Sequence, residues 1–509
     1  MPDSSVTGGA VGDRAGRRAF RLGFAGLLTT MALASLDQNI VATALPRIVG
    51  ELGGLAHLPW VITAFMLTTT ATAPLYGKLS DMYGRRPLFV VAILVFIAGS
   101  ALCGLARSML GLILFRGLQG LGAGGLMVLA QTAIADLVPP RQRGRYQGLI
   151  TGVFAFCSVT GPVLGGVITD ALSWRWIFYV NLPVGAVALG LILAALPRSD
   201  RPPVRHRIDY PGAVLLISTT AALLLLLSWG GTAAAWRSPT IVGLALGTAG
   251  LLVLLLARER VAAEPILPLM LFANPVFAVA VAVVAVTATA LFGTFVFLPT
   301  FFQLVQGESP SNAGLLTAPL MAGLIVASVI GGRLVSALGR YKVLSVFGLS
   351  LAVAGLVAIA AAVRAAAPLP AIEAALVVIG AGLGLVMPNL TVAIQNAVAR
   401  ETLGAATSAV SFFRSLGGAF GVALSGSLLT RRVDASLAAA GNAAAAARRA
   451  VAGGLGGVAS LPPELHGLVT EAYRQAIGTT FATGAAIAGF GLVLLLLLPE
   501  QPLRDMPAR

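Results

Sequence analysis

The chain has 509 residues, of which 57% are hydrophobic and only 10% charged. A soluble domain carries about 25% charged residues, so a soluble enzyme or nucleic-acid binder is excluded and a polytopic membrane protein remains. The formal charge of +15, from 34 Lys and Arg against 19 Asp and Glu, fits basic cytoplasmic loops better than a nucleic-acid surface.

Residues 1–21 are polar and Arg-containing and are expected to form a disordered cytoplasmic tail. They do not read as a cleaved signal, because the apolar run that follows is long and contains Asp37. Fourteen apolar spans follow, at 22–44, 58–77, 88–106, 109–134, 146–169, 177–197, 211–229, 239–257, 275–303, 312–335, 343–363, 371–396, 404–429 and 477–499. Each is long enough for one bilayer crossing, about 20 residues, and all should be helical, since only a helix or a closed barrel satisfies its own backbone in lipid. The fold class is therefore an all-α polytopic membrane protein. Its expected parts are a six-helix bundle at 22–197, two additional helices within 198–260, a second six-helix bundle at 261–499 and a cytoplasmic tail at 500–509. A long external loop, 430–476, interrupts the second bundle. An even count puts both termini on one side. With the N-terminus in the cytoplasm, 22 basic residues fall inside and five in the short outer loops, so both termini are expected to be cytoplasmic.

Lysine occurs only at Lys78 and Lys342 against many arginines, which points to a GC-rich bacterial genome. Cys103 and Cys157 both lie in apolar stretches, so no disulfide framework is suggested. His57, His206 and His466 are scattered in loops, and no phosphate-cradling Gly-rich string is present. No metal, cofactor, ATP chemistry or enzymatic activity is expected.

An internal repeat is visible. Gly77-Lys78-Leu79 and Gly84-Arg85 recur as Gly332-Arg333-Leu334 and Gly339-Arg340, an offset of 255, and Gly161 and Gly165 recur as Gly417 and Gly421, an offset of 256. Two related halves are the usual construction of secondary transporters.

Asp37 is the one acid deep in an apolar span. A charge there costs several kcal/mol, which makes it a candidate site for loading and releasing a proton, against the plainer reading of a carboxylate paired for packing. Arg116 lies at matching depth: both residues are roughly 12–14 Å from the outer surface at 1.5 Å per residue. A pair between the first and fourth spans is expected, either as a static salt bridge or as an exchange partner for proton and cargo. The loop Gly77-Lys78-Leu79-Ser80-Asp81-Met82-Tyr83-Gly84-Arg85-Arg86-Pro87 sets one acid among bases at a tight turn. Asp81 can accept from Arg85 or from a neighbouring helix end, latching two bundles. In Gly161-Pro162-Val163-Leu164-Gly165-Gly166 the glycines permit close helix approach and Pro162 bends the helix, which suits a half–half interface.

With these strings the chain resembles the major facilitator superfamily, and within it the fourteen-helix drug:proton antiporters. The 77–87 loop resembles the superfamily's loop signature, and Leu36-Asp37-Gln38-Asn39-Ile40-Val41-Ala42-Thr43-Ala44-Leu45-Pro46 resembles the antiporters' first-helix signature. Phe115-Arg116-Gly117-Leu118-Gln119-Gly120 is similar to the fourth-helix signature, and the 161–166 run to the fifth-helix antiporter signature. Trp174-Arg175-Trp176-Ile177-Phe178 and Asn181-Leu182-Pro183 continue the pattern. Ser336 stands where the second half would repeat Asp81, which implies an asymmetric latch. The resemblance implies two bundles around a central cavity and transport by alternating access. The implied function is proton-coupled export of small lipophilic molecules, cationic drugs or natural products foremost, across the bacterial cytoplasmic membrane, by a monomer with no nucleic-acid partner. A dedicated exporter of one endogenous metabolite, lipid or self-made antibiotic, and a non-transporting scaffold, are the alternatives. Candidate cavity residues are Gln38, Asn39, Gln131, Asn181, Phe292, Phe295, Asn389, Gln395, Phe412 and Arg414.

Overall fold

The computed structural model describes residues 7–53, 57–196, 208–230, 235–438 and 461–503. Those residues are almost entirely helical. In chain order the helices are α1 (Thr7–Leu52), α2 (Leu58–Tyr83), α3 (Arg85–Gly104), α4 (Met109–Leu137), α5 (Pro140–Ala171), α6 (Trp176–Tyr179), α7 (Asn181–Ala195), α8 (Tyr210–Trp229) and α9 (Pro239–Val261). They continue as α10 (Pro275–Phe295), α11 (Leu298–Thr300), α12 (Pro310–Leu315), α13 (Ala318–Leu338), α14 (Lys342–Arg364), α15 (Leu369–Ala397), α16 (Leu403–Ala438) and α17 (Pro463–Leu496).

Local chemistry sets several boundaries. Ser108, Asp209, Ser238 and Asn274 each accept a backbone N–H two or three residues on, capping α4, α8, α9 and α10. Gly84 and Gly339, at φ +87 and +69, turn the chain at equivalent places in the two halves, a backbone region that side-chain-bearing residues avoid. Pro299 lies where the ninth expected span, 275–303, breaks after α10 into a short turn and a π-helical stretch, Phe301–Val305.

Among the described residues, twelve helical segments are long and apolar enough to cross a membrane. The other two expected spans, 22–44 and 58–77, lie within α1 and α2. Two expectations change. Residues 7–21, expected as part of a disordered tail, continue α1 as helix. The expected loop at 430–476 is shorter: α16 runs to Ala438 and α17 begins at Pro463, leaving 439–460 outside the described residues.

Each half has its own apolar core, one around Leu27, Met31, Phe89, Phe96 and Leu126, the other around Phe277, Phe301, Phe302, Leu356 and Phe481. The repeat seen in the sequence is a packing repeat. Gly161 and Gly165 seat α5 against Asn39, Ile40 and Thr43 of α1, and Gly417 and Gly421 seat α16 against Ala285 and Thr289 of α10. Gly77 of α2 meets Gly404 and Ser408 of α16, and Gly332 of α13 meets Gly144 of α5. The 161–166 run is thus a within-half contact and not the half–half interface expected from its glycines; Gly144 and Gly148 make that interface on α5. Helices α8 and α9 pack on the outside, where Ala213, Leu216, Leu255 and Ile266 enclose Phe412 of α16.

Candidate functional site

Asp37 and Arg116 form the centre of a sealed polar cluster inside the first half. Asp37 is 0% exposed and Arg116 1%. Arg116 Nη1 donates to Asp37 Oδ2 at 2.6 Å and to Gln119 Oε1 at 2.8 Å. Gln119 Nε2 and Asn181 Nδ2 both donate to Asp37 Oδ1, at 2.8 and 2.7 Å. Asn181 Nδ2 also donates to Ser100 Oγ (3.0 Å), whose hydroxyl donates to Phe178 O (2.8 Å). The guanidinium lies 4.0 Å from the Phe65 ring centroid, a cation–π contact strengthened by burial. Glycines make the reach possible: Gly120 brings α4 against Phe65 and Thr68 of α2, and Gly99 brings α3 against Gln119. Gln119 is the hinge of the chemistry, since its amide serves the acid with one end and the base with the other. A proton on Asp37 would remove half of the Arg116 pairing while Arg116, whose charge is permanent, kept Gln119 Oε1.

Residues 77–87, expected as a loop, are the last turns of α2 and the first of α3 on either side of Gly84, and they form a second cluster at the end of the bundle that carries the basic turns. Gly404 N and Ala405 N donate to Asp81 Oδ1 and Oδ2, both at 2.9 Å. Asp81 therefore binds the first turn of α16 in the other half, where the helix dipole favours an anion. Arg85 Nη1 pairs with Asp81 Oδ1 (2.7 Å) and Arg85 Nε with Asp136 Oδ2 (2.9 Å). Lys78 Nζ lies 3.4 Å from Glu264 Oε2 in the segment after α9, and Arg86 Nη2 donates to Leu193 O of α7. The second half differs. At Ser336, which replaces the acid, the backbone carbonyl accepts from Arg141 Nε (3.2 Å), and Arg143 Nη1 donates to Gln395 O (3.2 Å). At the opposite end Glu51 accepts from Trp174 Nε1 (2.6 Å) and Arg175 Nη1 (2.5 Å), and these donors, Arg175 first, hold its carboxyl below the ordinary value.

The cavity candidates separate. Asn181 belongs to the Asp37 cluster. Asn39 donates to Ser35 O within α1 and packs on Gly161, and Gln38 is exposed. Gln131 is buried in α4; Asn389 donates to Leu385 O, and Gln395 Nε2 to Thr407 Oγ1, leaving Asn389 Oδ1 and Gln395 Oε1 buried without a partner among the described residues. Phe292 is 47% exposed beside Gly418, whereas Phe295 packs on the second-half core. Phe412 does not face a cavity, because its ring docks α8 and α9. Arg414 is part-buried. Sequence reasoning missed Ser100, Asp136, Glu264, Gly404 and Gly144. Only Asp136, an acid next to the Val138-Pro139-Pro140 turn, carried a local signal.

The family model described as Major Facilitator Superfamily matches residues 27–422. The chain is 40% identical over 409 residues to the multidrug transporter protein MdtP of Bacillus subtilis, covering 80% of this chain and 75% of that one. It is 31% identical over 506 residues to the efflux pump FUS6 of Gibberella moniliformis, covering 96% and 89%. The structure of the proton:xylose symporter XylE superposes with a TM-score of 0.63 at 14% identity, over 95% of this chain and 97% of that one, a likeness of fold alone. With paired halves, an inter-half latch and a matching sequence over most of its length, the chain belongs to the major facilitator superfamily of membrane transporters.

Proposed function

We propose that the chain is a proton-coupled antiporter exporting small lipophilic compounds, cationic drugs or natural products among them, across the bacterial cytoplasmic membrane. The observation that carries the reading is the sealed Asp37–Arg116–Gln119–Asn181 cluster. With Asp37 ionised, the pair is neutral overall. Protonation would leave a buried guanidinium without its counter-charge, a state unfavourable by several kcal/mol. That is of the same order as the available drive, about 2.3 kcal/mol per charge per 100 mV and about 1.4 per pH unit. A proton entering from outside would therefore favour a rearranged bundle in which Arg116 finds new partners, and its release inside would restore the pair. A cationic cargo would enter the cycle by competing with Arg116 for Asp37.

Opening and closing follow from the other cluster. Contacts between halves at Asp81–Gly404, Gly144–Gly332 and Arg143–Gln395 hold the basic end shut. With that end in the cytoplasm, as the basic-loop bias supports, this conformation faces outward and both termini are cytoplasmic. The two halves of one chain frame the whole pathway, so a monomer suffices. Names of relatives such as MdtP support drug-like cargo.

The test is transport in energised inverted vesicles. The native chain should accumulate lipophilic dyes with loss of the proton gradient. Asp37→Asn, which keeps shape and most hydrogen bonds, should remain folded and lose coupled accumulation. Full coupled export by Asp37→Asn would reject the mechanism.

A further inference from the structure

Within the membrane-depth helices the charge does not balance. Asp37 and Arg116 neutralise each other, while Arg414 in α16 has no hydrogen-bond or ion-pair partner among the described residues. It lies ten residues beyond Gly404, whose N–H binds Asp81 at the basic end; at 1.5 Å per residue that is about 15 Å into the bundle. A guanidinium keeps its charge in proteins. At this depth an unmatched one is costly and marks a ligand or ion path.

Its direction follows from its neighbours on the helix. Phe412, two residues earlier, faces α8 and α9, and two residues correspond to about 200° of helix rotation, so Arg414 points away from them. Gly404 and Ser408 face α2, and Gly417 and Gly418 face α10. Arg414 therefore lies on the side of α16 that faces α10, one turn from the exposed ring of Phe292 that covers Gly418. Ser411, on the same side, carries a buried hydroxyl without a partner among the described residues. A further turn back, Thr407 receives Gln395, whose Oε1 is also unpartnered. An unmatched cation, a spare hydroxyl donor and an exposed aromatic ring define a site for an anion on an apolar body.

We infer that Arg414 and Ser411 bind the carboxylate or phosphate group of a lipophilic molecule, with Phe292 against its apolar part. The inference rests on the transporter reading only for the role of that molecule as cargo. It adds acids and zwitterions to the compounds proposed above.

Binding can be read without transport. The purified full chain in phosphatidylcholine nanodiscs is titrated with pyrenebutyrate and with pyrenebutyramide, which share a ring and differ in charge. The native chain should prefer the acid by about tenfold, the scale of one charge-assisted hydrogen bond. Arg414→Gln should bring the ratio close to one, Arg414→Lys should keep much of it, and Ser411→Ala should lower it by less. An equal ratio in the native chain and Arg414→Gln, or no preference in the native chain, overturns the assignment; the latter decides even if Arg414→Gln fails to fold. Nanodiscs of phosphatidylglycerol separate the sources of the anion. Weaker acid binding there, in the native chain alone, identifies a lipid headgroup as occupant, and unchanged binding identifies dissolved cargo. Acid preference without dye export would refute export and leave this site standing, and the reverse result would refute only this site.

Discussion

Asp37 is held by three donors on two other helices. Taking away Arg116 would leave a fully buried carboxylate with two amide donors. Breaking a buried pair in this way costs about 3–5 kcal/mol. Arg116→Gln should accordingly lower the thermal midpoint of the purified protein markedly, while Asp37→Asn combined with Arg116→Gln should recover part of the loss, as scanning fluorimetry would show. Equal midpoints for native and Arg116→Gln would mean the pair is not buried in solution. At this scale much was legible beforehand. A lone acid and a lone arginine at equal depth in apolar spans announce themselves, because charge in hydrocarbon needs a reason. Gln119 and Asn181 came from the resemblance. Ser100 and the Val61 carbonyl, which accepts from Arg116 Nε at 3.4 Å, were not legible: a serine in an apolar helix is ordinary, and a carbonyl has no residue letter.

Helix α16 is the element on which contacts from α2, α8, α9 and α10 converge. Its first turn receives Asp81, its glycines lie against α2 and α10, and its Phe412 anchors α8 and α9. Loss of charge at Asp81 would weaken two hydrogen bonds to backbone N–H, each worth about 1.5–3 kcal/mol when the acceptor is ionised. Asp81→Asn should therefore shift the bundle away from the closed basic end by about tenfold or more. A cysteine replacing buried Ser328, which lies beside Gly148 at the α5–α13 contact, with Cys103 and Cys157 removed, should then react correspondingly faster with a water-soluble maleimide. Unchanged labelling would show that the latch does not govern that opening. The sequence placed the acid in a loop capable of latching and named a neighbouring helix end as one acceptor; which helix end required the fold. It also put Phe412 in a cavity and the 161–166 glycines at the inter-half seam, because residue type reports that a close contact exists and not with whom.

As a whole molecule the protein is two related bundles joined at one end by a symmetric pair of contacts, α2 with α16 and α5 with α13. Glycine meets glycine in both: Gly77 with Gly404, and Gly144 with Gly332. If transport requires these contacts to part, locking one of them should stop it. Cysteines introduced as Gly144→Cys and Gly332→Cys should cross-link under oxidation and abolish export, with reduction restoring it; export by the fully cross-linked chain would exclude rocking about this seam. The chemistry of the two contacts differs, since Asp81 has no acidic counterpart at Ser336, so one seam is ionic and the other made of glycine packing and arginine–carbonyl bonds.

Composition and hydropathy by themselves determined a polytopic helical membrane protein, the offset of its two halves and the charged pair at its centre. These properties are carried by residue identity along one dimension: apolar length, repeated spacing, and charge where lipid forbids it. Only the tertiary structure decided that Gln119 bridges Asp37 and Arg116, that Asp81 binds the N–H groups of Gly404 and Ala405, that α8 and α9 dock on Phe412, and that Arg414 is left unmatched among the described residues. Backbone donors, close helix approach and the direction of a side chain around its helix depend on which surfaces meet, and that information exists only once the helices have packed.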